Sequence, residues 1–126
     1  MEPKPAPQAE NKIEKLPSQL AAQLSPTARD ALGHPVRRQI LRALNESSKP
    51  RSPSEIATAT LPQASVSVVS YHAQVLETCD SVEMTGTRQI AGGVARLYAS
   101  KVAGDEQVAA ILQVTRGLDR WAVDPE

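Results

Sequence analysis

A chain of 126 residues suits one small domain with tails, and with no Phe and a single Trp its core must come from Val, Ile, Leu and Ala. Its formal net charge of zero excludes a uniformly basic polyanion binder, and its one cysteine, Cys79, excludes an intramolecular disulfide framework. No apolar run is long enough to span a membrane, and the N-terminus lacks the basic region and apolar core of a secretory signal, so we expect a cytoplasmic protein without a membrane partner.

The charge is unevenly spread. Residues 34–101 hold eight Lys/Arg and five Asp/Glu (+3), residues 102–126 hold two and five (−3), and residues 1–33 balance. A mildly basic middle with an acidic end is compatible with a polyanion partner for the middle alone.

Four prolines among charged residues, at positions 3, 5, 7 and 17, make 1–17 a disordered or extended tail. A first helix starts near Pro17 or at Ser25-Pro26, and Gly33 ends it. "HPVRRQILRALNE" gives the clearest helix. Pro35 sits in its first turn, Val36, Ile40, Leu41 and Leu44 form its buried stripe, and Arg38 and Arg42, four apart, share its outer face. "SPSEIATA" repeats the start signal, with Ser52 as N-cap and Glu55 closing a capping box. After the turn "TLPQAS", "SVVSYHAQVL" begins a helix at Ser65 or Ser67 that runs to about Thr78, where Asp80 helps to stop it. From residue 82 the period changes to alternation. Val82 and Met84 lie before Gly92-Gly93 and Val94, Arg96 and Tyr98 after it, which is a β-hairpin with a loose tip. "DEQVAAILQVTRGL" closes the chain with Val108, Ile111, Leu112 and Thr115 on one helical stripe and acids at its start.

The order helix, helix, short helix, helix, hairpin, helix describes a mainly α fold with a small β-hairpin, the winged helix-turn-helix. We divide the chain into a tail (1–17), a winged helix-turn-helix domain (18–101), a terminal helix for dimerisation (102–122) and a short tail (123–126).

"DALGHPVRRQILRAL", "SPSEIA", "VVSYHAQVL" and "GGVARLY" occur in the order in which ArsR-type winged helix regulators carry their corresponding segments. The chain resembles that family over roughly residues 29–99. The resemblance implies a dimeric transcriptional regulator that binds operator DNA and pairs through its terminal helices. The segment joining the second and third of these motifs is about two residues longer than usual, Ala73 stands where Leu is expected, Gln74 where a basic residue is common, and Asp80 where Gly is frequent. Metal-sensing members carry a Cys-x-Cys pair on the recognition helix or acid and His ligands on the terminal helix. Cys79 is alone here and the terminal helix has no His, so we expect no metal and no cofactor.

Ser67, Ser70, Tyr71 and Gln74 lie opposite Val69, Ala73 and Leu76. A solvated helix face usually carries Glu, Lys or Arg, which also support the helix; a Ser, Ser, Tyr, Gln face looks instead like a contact surface. Ser can donate to phosphate, Tyr can reach phosphate or thymine methyls, and Gln can pair with adenine. We therefore assign Ser54, Ser65, Ser67, Val68, Ser70, Tyr71, His72, Gln74, Arg88 and Arg96 to the surface that meets double-stranded DNA. For His72, structural support and phosphate contact both stand ahead of a metal role, and Arg37 either touches the backbone of DNA or pairs with an acid inside the fold. His34 reads as a helix-entry residue and Cys79 as a small apolar group. The dimer surface is expected at 105–118, helped by 19–32, through Leu20, Val108, Ile111, Leu112, Thr115 and Leu118. Trp121 anchors that contact or covers the core edge. No catalytic set appears, so we expect no enzyme, and whether a small-molecule effector exists is not legible. The rival reading is a winged helix that docks on a protein partner and leaves DNA unbound.

Overall fold

The structure is a computed structural model that describes residues 22–60 and 64–122. Among the described residues, five helices and one hairpin follow in order: α1 (Pro26–Ala31), α2 (Pro35–Asn45), α3 (Pro53–Thr60), α4 (Val66–Thr78), β1 (Val82–Ile90), β2 (Gly93–Ser100) and α5 (Glu106–Ala122). This is a winged helix-turn-helix. Helix α2 is its centre and touches α3, α4, α5 and β2.

Local chemistry sets the boundaries. Ser25 caps α1, its hydroxyl accepting from the Ala28 N–H at 3.1 Å. His34 caps α2 through Nδ1, which accepts from the Val36 N–H at 3.1 Å, while Pro35 supplies a first-turn residue that needs no donor. Ser52 and Glu55 form the capping box of α3: the Ser52 N–H donates to the Glu55 carboxylate at 2.9 Å and the Glu55 N–H to the Ser52 hydroxyl at 3.2 Å. Helix α4 starts from Ser65 as N-cap, which places Ser67 inside the helix. It ends at Asp80, whose φ of 61° is a left-handed conformation that Asp tolerates better than most residues. The alternative start of the first helix near Pro17, the expected tail 1–17 and the turn at 61–63 lie outside the described residues.

The hairpin is antiparallel, with Ile90 opposite Gly93. Its tip is thus the two residues Ala91-Gly92, tight where the sequence suggested a loose one. Gly92 has φ 86°, a value that Gly adopts without cost. Thr85 has no partner in the ladder, because pairing passes from Met84–Tyr98 to Gly86–Leu97. Arg51, just before α3, bridges Tyr98 on β2 with two backbone hydrogen bonds of 2.9 and 2.8 Å, which ties the wing to the helical body.

Ile40, Leu41, Ile56, Val69, Ala73, Leu76 and Val82 form the centre of the core, each 0–1% exposed. Each large aliphatic side chain buried there contributes about 1.5–3 kcal/mol as an upper figure. Two findings depart from the sequence reading. Tyr98 is 1% exposed, so one aromatic does join the aliphatic core. Arg38 and Arg42 are 0% and 4% exposed and point inward, not outward. The cause is Asp119 of α5, itself fully buried, whose carboxylate lies 2.6 Å from Arg38 Nη2 and 2.8 Å from Arg42 Nη1. Arg38 also donates to the Leu32 carbonyl at 2.7 Å, and Arg42 to the Leu112 carbonyl and the Thr115 hydroxyl, both at 2.8 Å. Two guanidiniums on one carboxylate bolt α5 across α2. Burial lowers the Arg42 pKa, and the Asp119 carboxylate opposes that shift.

The same seam decides what the α5 stripe covers. Val108, Ile111, Leu112 and Thr115 are 0–5% exposed within the single chain. These four close the core of the single chain. Leu118, at 45%, and Val114, at 56%, are exposed one turn apart. Leu20 and the side chain of Trp121 lie outside the described residues.

Candidate nucleic-acid interface

Helix α4 divides cleanly along its length. Val69, His72, Ala73 and Leu76 (spacing i, i+3, i+4, i+7) are buried, while Ser67, Tyr71 and Gln74 are exposed and Ser70 is half-buried. Among the described residues, the side chains of Ser67, Ser70, Tyr71 and Gln74 make no intramolecular hydrogen bond, so their polar groups face outward unspent. Val68 is 43% exposed beside them, and Ser65 is exposed at the start, its hydroxyl accepting from the Val68 N–H at 3.1 Å. Ser54 is exposed on the first turn of α3.

His72 does not belong to that outer surface. It is 8% exposed, and its Nδ1 sits 3.3 Å from Arg37 Nη1, with the His34 ring 4.3 Å away, centroid to centroid. Burial, with the nearby His34 and Arg37, pushes its imidazole down to about 4. Its position on the apolar column already implied this, since 69, 72, 73 and 76 are one stripe. His72 therefore packs α4 against the start of α2. Arg37 spans the joint, also donating to the Asp30 carbonyl at 2.9 Å. Cys79, buried at the end of α4, donates its thiol hydrogen to the Asp30 carboxylate at 3.4 Å, and burial raises its pKa. Among the described residues, no group of three or more His, Cys, Asp or Glu is placed to hold a metal ion.

The wing arginines are both exposed, and neither is isolated. Arg88 Nη1 lies 2.9 Å from the Glu55 carboxylate on α3. Glu55 is held below its usual pKa by the Ser52 N–H first and by Arg88 next. The pair links the wing strand β1 to α3, whose first turn carries the exposed Ser54. The neighbouring Tyr98 side chain raises the Arg96 pKa. Exposed Lys49 and Arg51 add charge at the base of the wing, with Arg51 Nε donating to the Ser47 hydroxyl at 3.0 Å.

The structure thus brings Ser67, Ser70, Tyr71 and Gln74 onto one helix face, with Val68 at its edge, Ser65 capping the helix start, Arg88 and Arg96 on the hairpin and His72 behind. Asp119 and the Glu55–Arg88 pair were missed by sequence reasoning. Asp119 had a signal: it continues the stripe 108, 111, 112, 115 by one more turn.

Residues 32–78, the segment from the C-cap of α1 to the end of α4, match the family model of a helix-turn-helix domain. No match to a curated protein or to a solved structure was found.

Proposed function

We propose that this chain is a sequence-specific DNA-binding transcriptional regulator that acts as a homodimer on a two-fold operator. One observation carries the reading: the segment that matches a helix-turn-helix domain presents, on its last helix, an outward row of hydrogen-bonding side chains with no hydrogen-bond partner in the described fold. In such domains that helix enters the major groove, and the order of motifs, which resembles ArsR-type regulators, supports the same role for α4. Ser67, Ser70, Tyr71 and Gln74 read the groove, flanked by Ser65 and Val68. Arg88 leaves Glu55 for a phosphate, with Arg96 and Ser54 on the same backbone.

The dimer surface is the outer side of α5, where Val114 and Leu118 leave apolar area uncovered. Half-sites then fall in successive major grooves. The uncharged face of α4 also suits a protein partner, and salt dependence separates the two readings. A gel shift with genomic fragments at low salt should show retardation that weakens as salt rises. No retardation by any fragment would leave the protein-docking alternative in its place.

A further inference from the structure

Between Ser52 and Thr87 the chain has no Lys or Arg, although this stretch includes α3, α4 and the start of the wing. Its charged residues are Glu55, Glu77, Asp80 and Glu83. Two of these acids are paired, Glu55 with Arg88 and Asp80 with Lys101. The N-terminal half of α4 is therefore uncharged, and three apolar side chains stand out from it: Val66 (46% exposed), Val68 (43%) and Tyr71 (62%). Val68 and Tyr71, three positions apart, share one side of the helix and form an apolar strip beside the polar row, while Val66, two positions before Val68, points to another side.

Base-edge chemistry limits which DNA that partner can be. Guanine is read chiefly by Arg or Lys, bidentate to O6 and N7, and α4 has neither. Thymine alone presents a methyl group in the major groove, which apolar side chains cover, and adenine offers N6 and N7 to a Gln amide. Val68 and Tyr71 supply the first contact and Gln74 the second. Resting on the DNA-binding reading above, we propose that α4 recognises A·T base pairs, with thymine methyl groups against Val68 and Tyr71 as the main source of sequence preference. Guanidinium contacts come only from outside the groove helix, at Arg51, Arg88 and Arg96, so the charged part of the affinity carries little sequence information.

Replacing thymidine by deoxyuridine tests this directly, because it removes the C5-methyl and keeps the pairing and the O4 acceptor. The duplex that binds best from a random-sequence library is resynthesised with deoxyuridine at one position at a time, and binding is measured by fluorescence anisotropy. The expected result is an A·T half-site core in which each contacted position loses about fourfold in affinity, the worth of one buried methyl group. Val68→Ala, at an exposed position where Ala suits a helix, should bind the thymidine and deoxyuridine duplexes equally at one of those positions. A selected core of G·C pairs, or affinity indifferent to deoxyuridine at every position, would overturn the proposal while leaving DNA binding intact. Failure to bind any duplex would overturn both.

Discussion

Two regions of this molecule treat charge in opposite ways. At the seam between α2 and α5, three ionised groups, Arg38, Arg42 and Asp119, are 0–4% exposed. On the outer face of α4, where exposing a charge costs little, the row Ser67, Ser70, Tyr71 and Gln74 carries none. Buried charges tolerate few geometries, because each must keep its partners, so the seam fixes the angle of α5 on α2. An uncharged exposed row gives up solubility and helix support and keeps hydrogen-bonding groups that discriminate between surfaces. The first region sets geometry and the second is suited to recognition.

Breaking the seam should have the largest effect. Asp119→Asn leaves two buried guanidiniums without a counter-charge and should destabilise the fold by about 3–5 kcal/mol, seen as a lower urea midpoint. Tyr71→Ala, on the other face, should change stability by less than about 0.5 kcal/mol in the same assay.

Acid should act next, through the joint between α2 and α4. Folding holds the His72 pKa at about 4, below its unfolded value, so the neutral ring's contribution is complete above about pH 6.5. It is lost as pH falls from there toward 4, because the unfolded state binds the proton more readily. The loss over that window should be on the order of 2–3 kcal/mol, and His72→Gln should flatten the curve of denaturation midpoint against pH.

Leu118→Asp should convert the proposed dimer to a monomer in sedimentation with no loss of helix content, since Leu118 is 45% exposed in the single chain. The same substitution at Ile111, 2% exposed, should unfold the chain. The smallest effect belongs to the wing. The Glu55–Arg88 pair is exposed and worth under about 1 kcal/mol, so Arg88→Ala should barely move stability. Its mark should be a slope of log affinity against log salt reduced by about one.

Much of the fold could be read from local signals. Ser25, Ser52 with Glu55, and Ser65 announce helix starts within a few residues of chain, and Asp80 announces a stop. The outer row of α4 follows from helical spacing alone. What stayed hidden depends on distant partners. Arg38 looks solvent-facing until Asp119, 81 positions away, is brought beside it. An apolar stripe on α5 looks the same whether it covers its own core or a second copy, and only the fold shows that Val108, Ile111, Leu112 and Thr115 do the former. His72 is a different case: its place on the buried column was visible in the spacing, but its polarity suggested a surface role.

The central claim is that the outer row of α4 reads DNA sequence, and the ratio of specific to non-specific affinity tests it most directly. Wild type and the double variant Tyr71→Ala/Gln74→Ala should be titrated with a selected operator fragment and with a scrambled duplex at one salt concentration. The account predicts that the variant keeps its fold and its affinity for scrambled DNA while its preference for the operator falls at least tenfold, the worth of about 1.4 kcal/mol. An unchanged preference in a folded double variant would contradict it.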